Sequence, residues 1–440
     1  MRLGGPPTKV SAGIEGCGPC VPRKRIGPRM SPGTTGWVRL VSGYGVGMTA
    51  RVRVVWTPEL LDYDFGPGHP MAPLRLDLTV RLARALGLLD RPGVEVVGAE
   101  PATDAQLETV HEPAYVAAVR RASGGGAGDP ARGIGTEDDP VFPHMHEAAA
   151  RIVAGSREAA LAVWEGRVDH AVNLFGGMHH AMPGAAAGFC VYNDAAVAIR
   201  ALLAAGAERV AYVDVDAHHG DGVQRAFWDD PRVLTVSVHE SGATLFPGTG
   251  FPDETGGRGA PGSAVNLALP SHTGDAGWLR AIDAVVPPVL RAFAPQVLVT
   301  QHGCDTHVED PIADLDVSVD AQRLVSTWLH DLAHEVAGGR WLALGGGGYA
   351  VVDVVPRAWT HLLGVATHAP VDPATRMPQA WLDQVVALYG REAPGSMSDG
   401  AALAWRSWAD GFDPADDVDR AVRATRTAAF PPLGLDPLHD

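Results

Sequence analysis

Residues 210–222 read Val-Ala-Tyr-Val-Asp-Val-Asp-Ala-His-His-Gly-Asp-Gly. A β-branched apolar run gives way at once to alternating acids and imidazoles. The first half has the continuous apolarity of a strand covered on both faces. The second half sets Asp214, Asp216, His218, His219 and Asp221 at the carboxyl end of that strand. That is where open α/β sheets hold their ligands. In extended backbone, residues two apart point to the same side, so Asp216 and His218 can meet one cation.

The same grammar recurs along the chain. Short apolar runs at 52–56, 94–99, 171–175, 210–215, 233–238, 296–301 and 341–344 read as strands. Longer Ala/Leu-rich runs at 74–86, 105–123, 147–165, 194–204, 276–293 and 319–337 read as helices. Strands alternating with helices predict an α/β domain built on a parallel sheet. Polar residues gather just after five of the strand runs. They are Gly-Gly-Met-His-His at 176–180, the 214–222 segment, His-Glu-Ser-Gly at 239–242, His-Gly-Cys-Asp at 302–305 and Gly-Gly-Gly-Gly-Tyr at 345–349.

Convergence of these ends makes a catalytic site. Asp305, from a different strand end, is a third ligand beside Asp216 and His218. Two carboxylates and one imidazole suit an open divalent site; zinc and ferrous iron both fit. His179 and His180, at the mouth of a neighbouring strand, are placed to act as general base and acid. Each needs a carboxylate to fix its tautomer, and Asp214 and Asp221 are available. The glycines before Tyr349 are not a phosphate loop, because no Gly-Lys-Ser/Thr follows. The Tyr349 hydroxyl can instead stabilise an oxyanion. Phe189 and Phe246, in glycine-rich turns, can sandwich a slender aliphatic chain. Cys190 and Cys304 read as small buried residues.

The chain has 440 residues, 46% of them hydrophobic, an ordinary globular composition. The net charge of −16 disfavours direct contact with nucleic acid. No apolar run is long enough for a membrane span, and four cysteines form no disulfide framework, so a cytoplasmic setting is expected. Residues 1–50 differ, with 11 Gly, 6 Pro and a charge of +6. Residues 1–47 are expected to be a disordered tail, or an upstream stretch before a true start at Met48. Cys17 and Cys20 have a redox-like spacing but lack the strand and helix such a motif needs. Residues 48–390 read as the one large domain. Residues 391–440, rich in Pro and Asp, read as a peripheral C-terminal segment, with a short surface helix at 401–408.

With these residues placed, the sequence resembles the zinc-dependent histone deacetylase family. The resemblance is carried by Tyr-Asp-Phe-Gly-Pro-Gly-His-Pro-Met at 63–71, Gly-Phe-Cys-Val-Tyr-Asn-Asp at 188–194, and segments 176–180, 214–222, 246–250 and 345–349. They stand in the family's order from about residue 52 to 365. Thr136–Phe142 and 239–242 favour the bacterial acetoin-utilisation (AcuC) type. The resemblance implies an arginase/deacetylase fold, a three-layer α/β domain with a mostly parallel sheet of about eight strands. It implies hydrolysis of Nε-acetyl-lysine, with Asp216, His218 and Asp305 holding zinc. It pairs His180 with Asp221 as principal base and acid, and His179 with Asp214 as electrostatic partner. Tyr349 would polarise the carbonyl. Gly188, Phe189, Phe246 and Gly347 would line the acyl-lysine channel, Asp138 would hold the substrate backbone at the rim, and Arg75 would lie near an internal acetate pocket. It also implies a structural K+ or Na+ site using the backbone carbonyls of Asp214, Asp216 and His218, with Ser237 and Val238. Acetylated proteins are the implied partners, acyl-CoA synthetases among them. Asp139, Met178 and Ile312 depart from the usual pattern, which bears on substrate preference. An acetylpolyamine amidohydrolase on the same fold is the main rival. A manganese ureohydrolase would use more Asp ligands, and a non-catalytic binder would have lost one of these side chains.

Overall fold

The computed structural model describes residues 51–440. The expectations for residues 1–47, Cys17, Cys20 and Met48 lie outside the described residues. Among the described residues, eight strands form one sheet: β1 Val52–Val55, β2 Val94–Val97, β3 His170–Asn173, β4 Val210–Asp214, β5 Val233–Glu240, β6 Ala264–Leu269, β7 Val297–Gln301 and β8 Trp341–Leu344. Their order is β2-β1-β3-β8-β7-β4-β5-β6, and every pair is parallel. Strands β3, β4, β5, β7 and β8 are buried along their whole length. This is the burial that a parallel sheet covered on both faces requires.

Right-handed crossovers decide which helix covers which face. The steps β2 to β3, β3 to β4 and β4 to β5 run one way across the sheet. Their helices Met145–Trp164, Asp194–Ala204 and Asp221–Phe227 pack as one layer. The steps β1 to β2, β6 to β7 and β7 to β8 run the other way. Their helices Leu74–Ala85, Asp275–Phe293 and Val319–Ala337 join Val355–Ala366 in the opposite layer. The result is the three-layer α/β domain expected from the sequence.

Four details differ from the sequence expectation. Strand β6 was not anticipated. The single helix expected at 105–123 is two, Asp104–Leu107 and Pro113–Ser123, because Pro113 cannot donate a helical hydrogen bond but suits a first turn. The 401–407 stretch is not helical; only Trp408 enters a 3-10 turn, Trp408–Asp410, which a Ser407 capping box begins. Helices Asp221–Phe227, Val355–Ala366, Gln379–Tyr389 and Asp417–Ala429 are additional. The last of these lies against edge strand β6, where the Thr425 hydroxyl donates to the Asn266 carbonyl at 2.7 Å. A helix laid there shields the edge from pairing with other chains.

The topology positions the site directly. The central strands β3, β8, β7 and β4 end in register: Asn173 pairs with Leu344, Leu344 with Gln301, and Gln301 with Asp214. The loops leaving this one row carry nearly all the chemistry.

Candidate active site

Asp216 and His218 leave β4 and Asp305 leaves the neighbouring β7. The His218 Nδ1 lies 3.1 Å from Asp216 Oδ1 and 3.0 Å from Asp305 Oδ2. All three side chains are buried. The other carboxylate oxygens are already occupied. Asp216 Oδ2 accepts from the Gln301 amide at 2.7 Å and from the Gly347 N–H at 2.8 Å. Asp305 Oδ1 accepts from the Ala217 N–H at 2.9 Å. Each residue thus turns one donor atom toward a common point, and these atoms lie within 4.8 Å of one another. Burial opposes charge throughout this cluster. His179 and His218 nonetheless hold Asp216 well below the usual carboxylate range. Burial and the Asp216 charge push Asp305 up. Buried acids this close are stable only with compensating positive charge. The donor set fits a borderline divalent ion such as zinc or ferrous iron.

The histidine pair follows β3. His179 Nδ1 lies 2.7 Å from Asp214 Oδ2, and His180 Nδ1 lies 2.7 Å from Asp221 Oδ1. The two Nε2 atoms face each other at 3.0 Å. The pair adjoins the ligand cluster: His179 Nε2 is 3.9 Å from Asp216 Oδ1, and the His180 and His218 ring centroids are 5.8 Å apart. Burial works against charge on His179, but Asp214 and Asp216 outweigh it and raise its pKa to about 9. Burial, followed by the charge on His179, drops His180 to about 4. One member of the pair is therefore charged and the other neutral, so a donor stands beside an acceptor.

Tyr349 ends the glycine loop after β8. Burial, with the charges of Asp305 and Asp216, pushes its hydroxyl well above the ordinary value, so it remains a neutral donor. Its backbone N–H donates to Asp310 at 2.8 Å. Gly347 is where side chain is forbidden: a Cβ there would lie 2.8 Å from Asp305 Cγ and 2.9 Å from Asp216 Oδ2. Gly188, at φ 53°, passes so close that a Cβ would lie 2.9 Å from His180 Cγ and 3.0 Å from Phe246 Cε1. Phe189 also takes a left-handed φ of 66°, with the Tyr63 hydroxyl bonded to its carbonyl at 2.7 Å. Phe189 meets Tyr349 edge-on at 5.7 Å, and Phe246 meets His180 at 5.0 Å. Phe246 is 46% exposed, so its ring reaches solvent.

The remaining expected residues surround this centre. Asp138 is exposed, and its carbonyl bonds His69, whose ring packs on Phe189 at 4.6 Å. Ser237 pairs with Asp214 across β5 and β4, and Val238 follows it, buried. Arg75 is buried under the glycine loop and donates to the Gly346 and Gly348 carbonyls at 2.9 and 3.1 Å. Of the departures from the family pattern, Asp139 is buried, and burial followed by the Asp138 charge pushes it up to about 8. Met178 is buried, and its N–H is held by Asp194 at 2.8 Å. Ile312 bonds Asp310 through its N–H at 3.0 Å.

Sequence reasoning missed four supporting residues. Gln301 orients Asp216, Tyr212 donates to Asp214 at 2.7 Å, Asp194 holds the Gly177 and Met178 N–H groups, and Asp310 holds Tyr349. A polar residue inside an apolar run was the available signal for Gln301 and Tyr212.

This fold carries the side chains expected of a hydrolase site, with Asp216, His218 and Asp305 as a candidate metal centre. Residues 69–366 match the histone deacetylase domain model. The chain is 39% identical over 354 residues to the acetoin utilization protein AcuC of Bacillus subtilis (strain 168), covering 79% of this chain and 90% of that one. It is 36% identical to AcuC of Staphylococcus xylosus, covering 74% and 85%. A crystal structure of an HDAC homolog complexed with SAHA superposes with a TM-score of 0.73 at 28% identity, covering 85% of this chain and 100% of that one. The chain belongs to the histone deacetylase family and, within it, is of the AcuC type.

Proposed function

We propose that the protein hydrolyses Nε-acetyl-lysine in acetylated proteins, releasing acetate. The observation that carries this reading is the doubly anchored His179/His180 pair set against the Asp216/His218/Asp305 cluster. Asp216, His218 and Asp305 would hold a divalent ion, zinc the first candidate and ferrous iron the second, which would supply Lewis acidity for amide hydrolysis. His180, neutral and oriented by Asp221, takes the proton as water attacks. Tyr349 donates to the oxyanion that forms. His179, charged and anchored by Asp214, stabilises that negative charge electrostatically. The proton then passes from His180 or His179 to the departing amine. Gly188, Phe189 and Phe246 hold the aliphatic stem, Gly347 keeps the floor clear, and Asp138 meets the substrate backbone at the rim. A structural K+ or Na+ would be held by the backbone carbonyls of Asp214, Asp216 and His218, with Ser237 and Val238.

The partners we propose are acetylated metabolic proteins such as acyl-CoA synthetases, in the cytoplasm. The acidic charge argues against direct nucleic-acid contact. Among the described residues no helix is long and apolar enough to cross a membrane. An acetylpolyamine would use the same centre, so substrate class is tested by side-by-side kcat/KM on an acetyl-lysine peptide and an acetylpolyamine. Preference for the peptide supports the reading. Preference for the polyamine transfers the activity to small amides. SAHA, bound by the solved homolog, is expected to inhibit either activity.

A further inference from the structure

Four histidines converge at the other end of the sheet, remote from the acyl channel. His170 opens β3 at its amino end. His330 and His334 lie one turn apart on Val319–Ala337, and His368 follows Val355–Ala366. One ring nitrogen from each lies within 4.8 Å of the others. His170 Nε2 is 3.1 Å from His334 Nε2, and His330 Nε2 is 3.2 Å from His368 Nε2. A tetrahedral ion with nitrogen ligands at about 2.0–2.1 Å sets those ligands about 3.3 Å apart, so the spacing already approximates a coordination shell.

The outward nitrogens support this. His170 Nδ1 bonds the Ala366 carbonyl at 2.8 Å, and His330 Nδ1 faces Asp331 Oδ1 at 3.2 Å. A proton on each Nδ1 leaves the Nε2 lone pair pointing into the cluster. Carbonyl and carboxylate partners of this kind orient metal-bound imidazoles generally. His368 is held at φ 53°, a left-handed conformation costly for a residue with a Cβ. Four ring nitrogens from three separate elements thus meet around one point. Burial pushes all four pKa values down, which favours the uncharged, ligating form. His170 and His330 are buried while His334 and His368 are half-buried, so an ion has a route in. Trp341 shields the inner side, edge-on to both His170 and His330 at 5.5 Å.

We propose that His170, His330, His334 and His368 form a second divalent transition-metal site, with zinc as its first ligand, independent of the Asp216/His218/Asp305 centre. Its four protein ligands close the coordination sphere, so it is structural. It ties the amino end of a central strand to two helices of one layer.

The test uses full-length protein without a histidine tag, stripped with chelator and titrated with Zn2+ by calorimetry. Wild type is expected to bind two equivalents. Asp305→Ala is expected to keep one equivalent, and in that background His334→Ala and His368→Ala should each weaken it by about 100-fold or more. The same Asp305→Ala protein should show a rise in Tm with Zn2+ that each histidine variant loses, while their metal-free Tm values confirm folding. Substituted Co2+ should give the intense visible bands of a tetrahedral site. The proposal is overturned if Asp305→Ala binds no ion, or if its ion is indifferent to both histidine variants. Either result would leave the deacetylase reading intact, because that reading depends on Asp305 and not on this cluster.

Discussion

Gly347→Ala tests how closely the glycine loop is fitted to the ligand carboxylates. The new methyl would stand 2.8 Å from Asp305 Cγ and 2.9 Å from Asp216 Oδ2, and closer still to Asp305 Oδ2. Ordinary carbon contacts begin near ~3.5 Å, so the Asp305 carboxyl must retreat by about 0.5 Å or more. Metal-site distances tolerate about 0.2 Å. The variant is therefore expected to lose at least about 10- to 100-fold in affinity for Zn2+ at this centre, the scale of losing an orienting partner. That corresponds to about 1.4–2.7 kcal/mol. Overpacking should also lower the stability of the metal-free protein by about 1–3 kcal/mol. Competition titration against a chromophoric chelator, in a His334→Ala background so that only this centre is read, measures the affinity, and urea unfolding measures the stability. Gly395→Ala, where a Cβ meets nothing within 4 Å, is the matched control. Unchanged Zn2+ affinity in Gly347→Ala would refute the placement of this loop against the ligands.

Three further outcomes follow from the same geometry. Tyr349→Phe is expected to cut kcat by about two to three orders of magnitude while Zn2+ affinity holds, since it removes only the oxyanion donor; an unchanged kcat removes Tyr349 from the chemistry. Asp214 helps to raise His179 to about 9, so activity should decline on the alkaline side as His179 loses its proton. Asp214→Asn removes that stabilisation and should move the alkaline limb of the kcat/KM profile down by about one pH unit or more; a shift upward would contradict the assignment. Asp419 is buried and ion-paired with Arg280. Asp419→Ala should therefore lower unfolding free energy by about 3 kcal/mol, read from urea midpoints, with kcat unchanged.

The readable parts of the sequence are those with a simple physical signature. Strands β4 and β7 announce themselves because double coverage demands nearly continuous apolar runs, and their polar ends stand out by contrast. Strand β6 does not, because Asn266 and two small alanines dilute its run and the Asp417–Ala429 helix supplies its cover from far along the chain. Helix Val355–Ala366 is buried on every side, and its polar residues Arg357 and His361 face Asp399 and the Met397 carbonyl of a distant segment rather than solvent. Helix Asp417–Ala429 hides for the opposite reason: Asp416, which reads as a loop residue, is its N-cap and accepts from the Val418 and Asp419 N–H groups. In the site, the ligands and the histidine pair follow strands and were legible. Asp194 and Asp310 were not, because their work is to hold backbone N–H groups of loops that sequence does not fold.

The central claim is metal-dependent amide hydrolysis at the Asp216/His218/Asp305 centre. It is tested most directly by deacetylation of a fluorogenic acetyl-lysine peptide. Metal-stripped protein, the same protein with Zn2+ or Fe2+ restored, and Asp305→Ala would be run in parallel. The account predicts turnover that vanishes on stripping, returns with metal and is absent in Asp305→Ala. Turnover that persists in stripped protein or in Asp305→Ala would contradict it.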